Sequence, residues 1–374
     1  MTENAHSQPA FRIAFAGDLV LDVPEPDYWL GGITPLLRSA DLAIGHLEVP
    51  HTRRGEEFGG DVPAPGADPD AVYAIRRSGF HAVTLAGNHI ADRGAEGIED
   101  TRTALADAGI EASGAGANLG EARRPAWLRL GSHRVALFSY NCVGPEKAWA
   151  TENRAGCAYL PLATADGGPV TPLSELAMTD HCRDILVDDI DAVRDRASLV
   201  IVAMHKGIVH TPATLAGYER ELAQAAVDAG ADIVVGHHAH ILRGIEIYRG
   251  KPIFHGLGNG CVVTHALSPD QAHPDRAAWA QRRKKLFGFE PDPAYTLAPF
   301  HPEAVNAMLG HVSWQPGQLP QAGIIPLHVE APGRPVAASG QRAAEVVDYL
   351  IAITERAGLP PLRLEPGPVA WSLH

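Results

Sequence analysis

The chain is 374 residues long, 45% hydrophobic, and carries a formal net charge of −13. That length and apolar content build a sizeable core rather than a disordered chain, and an acidic balance with no long basic run excludes the electrostatic footprint of a nucleic-acid binder and disfavours anionic membranes. Cys142, Cys157, Cys182 and Cys261 are widely spaced and read as reduced thiols. The start lacks the basic segment of a signal peptide and about 18 apolar residues never run together, so a cytoplasmic protein without a membrane span is expected.

Residues 11–16 read as a buried strand that stops at Gly17 and places Asp18 at its carboxyl end. A short helix over 33–39 and a strand over 41–44 follow, with His46 and Glu48 just beyond. Residues 53–67, rich in Gly, Pro and charge, form a surface loop. Asp68 and Pro69 open a helix running to Arg77, and a strand over 81–86 delivers Gly87-Asn88-His89. A helix over 96–108 closes at Gly109, and residues 127–140 form a hairpin turning at Gly131-Ser132-His133. Residues 141–180 have weak periodicity and give no assignment. A charged helix over 184–196 precedes the most apolar strand, 199–204, which ends at His205; a helix over 214–229 leads to the run 232–234 and the tract Val235-Gly236-His237-His238-Ala239-His240. A hairpin over 244–254 and the glycine-rich stretch 256–260 follow. Alternation of strand and helix argues a layered α/β fold, and open sheets of that kind bind ligands at the carboxyl ends of their strands.

Beyond about residue 264 the chain is rich in Pro, His and aromatic residues. Its basic cluster, Arg282-Arg283-Lys284-Lys285, reads as a solvated helix face. Residues 264–321 are expected to cover the strand ends as a lid, bringing His265, His273, Trp279, Tyr295, His301, His311 and Trp314 to the substrate. A late strand over 324–329 and a helix over 343–357 close the reading, which divides the chain into a core over 8–264 and an extension over 265–374 packed on it.

The strand ends carry the chemistry. Asp18, Glu48, Asn88, His205, His238 and His240 combine anionic oxygen, which holds a divalent cation's charge, with imidazole, which sets its geometry. His237 competes with its neighbours for one of those places.

The ordered set Gly17-Asp18, Leu47-Glu48, Gly87-Asn88-His89 with Asp92, His205-x-Gly207 and Gly236-His237-His238-Ala239-His240 resembles the CapA family, named for poly-γ-glutamate capsule biosynthesis, within the calcineurin-like metallophosphoesterases. The resemblance covers about residues 11–260. It implies a four-layered α/β sandwich, mixed β-sheets flanked by helices, with one or two divalent ions (Mn, Zn, Fe, Mg or Ca) held by the six residues named above. It makes His89 the general acid or base and lets Asp92 orient it, helix capping being the other role open to Asp92. Where relatives begin Asp-x-His, Leu19 and Val20 follow Asp18, and where they commonly carry Asn, this chain has His46, which is open as a catalytic base, an extra ligand or a neighbour.

Such a site suits proton transfer at a carbon beside a metal-bound carbonyl. CapA-like proteins include epimerases of ribosomal peptides such as lasso precursors, and a peptide epimerase, an isomerase, is the function expected first. Metal-dependent phosphoester hydrolysis and a capsule or polyglutamate role are the alternatives. The expected partner is a peptide, or a phosphoester in the second case.

Overall fold

The computed structural model describes residues 10–58, 62, 64–171, 174–268 and 274–374, apart from the Lys284 side chain. Two sheets stack face to face. Among the described residues the first has ten strands: Phe11–Asp22 is flanked by Leu42–Leu47, Ala82–Thr84 and Glu111–Ser113 on one side and by Asn306–Trp314 and Gln321–Glu330 on the other. The second runs Ile245–Tyr248, Lys251–Phe254, Ile233–His237, Leu199–His205, His133–Asn141, Ala126–Leu130. In each sheet the strands nearest the site pair in parallel, so their carboxyl ends gather on one edge.

Period-two alternation assigns each strand residue to a layer. Ile13 and Phe15 point between the sheets, while Ala14 and Ala16 point to the helices that carry Val72, Ile75, Ile98 and Leu105. Likewise Leu199, Ile201 and Ala203 enter the inter-sheet core, and Val200, Val202 and Met204 meet helices Asp180–Arg194 and Gly217–Asp228. The order is therefore helix, sheet, sheet, helix, the four layers expected. Helix Gly340–Arg356 closes the inter-sheet core with Val346, Val347, Leu350 and Ile353. No described helix is long and apolar enough to cross a membrane.

Two expectations change. The first strand does not stop at Gly17; it continues to Asp22 and pairs in parallel with Asn259–Thr264 from Asp18 onward, with a break in that register between Asp18 and Leu19. The lid expected over 264–321 does not extend through its last part, because Asn306–Trp314 is a strand lying antiparallel beside Phe11–Asp22 in the centre of the sheet. Pairing partners distant in sequence decide both, and local composition carries no record of them.

At the break the backbones come close. A Cβ on Gly17 would run into the Gly258 carbonyl, whereas one on Gly217, at the start of a helix, meets nothing within 4 Å. Gly17→Ala is expected to lower stability by about 1–3 kcal/mol, as overpacking does, and Gly217→Ala to leave it unchanged or slightly raised. Urea unfolding of both variants checks the contrast; equal midpoints would contradict it.

Candidate metal centre

The break between the strands fixes Asp18. Its N–H donates to the Gly258 carbonyl at 3.0 Å, and across the ladder it stands opposite His46 on one side and Asn259 on the other. In the second sheet His205 is the register partner of His237. Beyond that strand, His238 and His240 take positive φ, 90° and 53°, which non-glycine residues adopt at a cost of about 1–3 kcal/mol and chiefly at functional sites. That backbone brings the His240 ring to Asp18 and Glu48 and the His238 ring to His205.

The side chains converge tightly. His240 Nε2 is 3.3 Å from Glu48 Oε1, and His240 Nδ1 is 3.6 Å from Asp18 Oδ2. His205 Nε2 lies 2.8 Å from Asn88 Oδ1 and 3.0 Å from His238 Nδ1. A ring nitrogen offers either one proton or one lone pair, so three donor atoms crowd where a single hydrogen bond would do. His46 turns Nδ1 to Thr84 Oγ1 at 3.0 Å, and the His238 N–H donates to Asp18 Oδ2 at 3.3 Å.

This set fits a divalent cation. Asp18 Oδ1, His46 Nε2, Glu48 Oε2 and His205 Nδ1 are buried without a hydrogen-bond partner among the described residues, a costly condition for polar atoms in a dry interior. The ligand atoms of Asp18, His46 and His205 all lie within 4.8 Å of one another, as do those of Asp18, Glu48 and His240. Two ligand groups thus share Asp18. His46 belongs to the first, reaching Asp18 from the neighbouring strand. His237 stacks on His46 with ring centroids 4.8 Å apart and holds Nδ1 3.6 Å from Asp18 Oδ1.

Electrostatics agree. Burial, and then the neighbouring Glu48 charge, push the Asp18 carboxyl well above its usual range. Burial opposes ionisation of Glu48 as well, but His240 outweighs it and holds Glu48 at about 2 while His240 rises to about 9. Burial lowers His46 to about 4 and His238 to about 3 and drives His205 and His237 well down. Four imidazoles are thereby neutral, the form that ligates metals.

His89 sits beside this set with its Nδ1 2.6 Å from Asp92 Oδ2, both residues buried. The helix that follows, Gly94–Asp107, has Arg93 at its cap position, and Asp92 meets His89. His89, Asn88, Glu48, His238 and His240 line one side of a cavity of about 350 Å³. Val20, Val49, Val262, Trp279, Phe287 and Phe300 give it a large apolar lining, among which stand Asp22, His210, Thr264 and Arg283.

The lid residues separate. Trp279 reaches the cavity. Trp314 stacks on Phe11, His311 lies opposite Ala14 in the sheet, the Tyr295 hydroxyl donates to the Val329 carbonyl, and His301 Nδ1 accepts from the Glu303 N–H. His265 is exposed, and His273 lies outside the described residues. The basic cluster is not uniformly solvated, because Arg283 is 6% exposed and lines the cavity while Arg282 and Lys285 are exposed. Asp22 and His210 line it too, and the sequence reading overlooked both. The signal for Asp22 was its even spacing from Asp18 along one strand.

Metal counting by mass spectrometry checks the assignment. Asp18→Ala is expected to lose bound metal most completely, His240→Ala and His46→Ala to lose part of it, and His89→Ala to keep it. Unchanged content in the first three would remove the assignment. Because Asp18 must be deprotonated to bind and its carboxyl is pushed up, acidification favours the form that cannot ligate. Affinity is expected to be full at neutral pH and to fall as pH drops; pH-independent retention by equilibrium dialysis would contradict this.

Known proteins place the chain. A capsule biosynthesis protein CapA from Bacillus anthracis is 30% identical over 240 residues, 62% of this chain and 53% of that protein. A probable polyglutamine synthesis accessory protein from Mycobacterium tuberculosis is 35% identical over 224 residues, 59% of this chain and 55% of the relative. The match spans about half the length of these relatives. Among solved structures, the calcineurin-like phosphoesterase YfkN from Bacillus subtilis aligns with TM-score 0.39 and 12% identity, over 93% of this chain and 98% of that one. With residues 12–262 matched, the chain belongs to the family of bacterial capsule synthesis proteins, PGA_cap.

Proposed function

We propose that the protein is a metal-dependent enzyme that inverts a Cα centre in a peptide substrate. The observation that carries this reading is the cavity itself, where ligand residues and His89 meet a large apolar lining that includes Trp279, Phe287 and Phe300. Such a lining suits a bulky apolar side chain. A bound cation would polarise the substrate carbonyl and so acidify the adjacent Cα–H.

The chain's residues then move the proton. His89, oriented by Asp92 through the 2.6 Å contact, takes or returns it. Inversion needs a second carrier, and Asp22 and His210 share the cavity wall with His89. Asp22 accepts from Thr264 Oγ1 at 2.8 Å, and burial raises its carboxyl above the usual range, which brings it closer to the poise of a working acid or base. The relative named for polyglutamine synthesis agrees with a substrate built of amide-linked residues. The free, buried cysteines agree with a reducing, cytoplasmic location.

Phosphoester hydrolysis is the second reading. The His89–Asp92 pair beside the ligand groups favours it, since the same imidazole can protonate a leaving oxygen.

The two are separated by incubating the metal-loaded protein with short peptides in deuterium oxide and, in parallel, with phosphomonoesters. The peptide reading expects one deuteron at a single Cα and a diastereomer of unchanged composition. His89→Ala should lower the exchange rate by roughly 10²–10⁴-fold. Phosphate release with no exchange at Cα would overturn the epimerase and support the hydrolase.

A further inference from the structure

Helix Pro274–Phe287 packs over the cavity and presents Trp279 and Arg283, four residues apart on one helical face. Arg283 is held from one end. Its Nη1 donates to the Pro299 carbonyl at 2.9 Å and to the Leu267 carbonyl at 3.4 Å. Nε is buried with no hydrogen-bond partner, and Nη2 makes no hydrogen bond among the described residues. Nor does an ion pair among them reach this guanidinium, although Asp22 and Glu48 line the same cavity; Asp22 is engaged with Thr264 and Glu48 with His240.

A buried guanidinium is normally paired, because its charge and donors lose water with nothing in return. Elsewhere in this protein the Nε–Nη2 edge grips a carboxylate with two parallel hydrogen bonds. Arg77 holds Asp27 at 3.0 and 2.6 Å, Arg123 holds Asp189 at 3.0 and 2.8 Å, and Arg220 holds Glu246 at 2.9 and 2.8 Å. In Arg283 the same edge has no acceptor among the described residues, while the opposite nitrogen anchors the group to two backbone carbonyls. The fork's planar geometry matches a carboxylate.

We propose that Arg283 is a specificity residue that receives a carboxylate of the substrate, so that the group bound in the cavity combines a bulky apolar part with one carboxylate. This deepens the peptide reading and rests on it. The carboxylate is either a chain terminus or an acidic side chain. In both cases Trp279, Phe287 and Phe300 surround the apolar part while Arg283 fixes its orientation relative to the metal ligands.

Binding tests this without turnover, and thus separately from exchange at Cα. The metal-loaded protein, Arg283→Gln and Arg283→Lys are titrated calorimetrically with N-acetylphenylalanine, its neutral amide, N-acetylglutamyl-phenylalaninamide and phenyl phosphate. Melting curves and metal content verify that each variant is folded and loaded. At least one of the two carboxylate probes is expected to bind the parent and to weaken about 10- to 100-fold in Arg283→Gln, the range for a lost charge-assisted hydrogen bond. The lysine variant, which keeps charge but not the fork, should fall between, and any affinity for the neutral amide should be the same in all three. Which probe responds tells a terminal from a side-chain carboxylate. If Arg283→Gln does not fold, the lysine variant carries the test, with a loss of several-fold expected. No carboxylate binding by the parent, equal carboxylate affinity across the folded proteins, or a dependence on Arg283 seen with phenyl phosphate alone would overturn the proposal.

Discussion

Two carboxylates, Asp18 and Glu48, stand side by side in an interior where neither reaches water, and the rest of the site answers that constraint. Burial first, and then the like charge of Glu48, pushes the Asp18 carboxyl up. His240, 3.3 Å from Glu48 and raised to about 9, offsets part of this charge. A divalent cation held by these carboxylates and the neutral imidazoles would offset it more fully. The architecture follows from this need: two sheets bring their carboxyl ends to one edge, and a break in the first strand sets Asp18 between His46 and Asn259.

Much of this was legible in the sequence because the signals are local. A run of apolar residues followed by Gly-Asp, His-Leu-Glu, Gly-Asn-His or Gly-His-His-Ala-His marks a strand end with ligand chemistry, whatever it pairs with. Each of Asp18, Glu48, Asn88, His205, His238 and His240 was found that way, and the structure brings them together. The four layers were legible for the same reason, since strand and helix alternate through most of the chain. Strand partners are another matter. Asn306–Trp314 lies beside the first strand although about 290 residues separate them, and its sequence, interrupted by Gly310 and His311, resembles the loop before it. The position of His46 at the ligand group was likewise hidden, because it depends on its register opposite Asp18.

Arg283 shows how burial escapes a local reading. Within Arg282-Arg283-Lys284-Lys285 nothing distinguishes the second residue, and a basic run on a helix is ordinarily solvated. Only the packing of that helix against Leu267 and Pro299 turns one of the four inward. The cavity therefore has two origins. Its ligand side is built by strand ends in the matched family region, and much of its apolar side by a segment beyond residue 262, where that match stops. The proposed function assigns metal chemistry to the first and choice of substrate to the second, a division that accords with function residing in sites carried by a common fold.

The central claim is that Asp18 is shared by two ligand groups. The most direct measurement is anomalous X-ray scattering from crystals of the metal-loaded protein, collected at the absorption edge of the metal found in it. The account predicts density against the Asp18 carboxylate, bounded by His46 and His205 on one side and by Glu48 and His240 on the other. Metal bound elsewhere in the molecule, with no anomalous density touching Asp18, would contradict it.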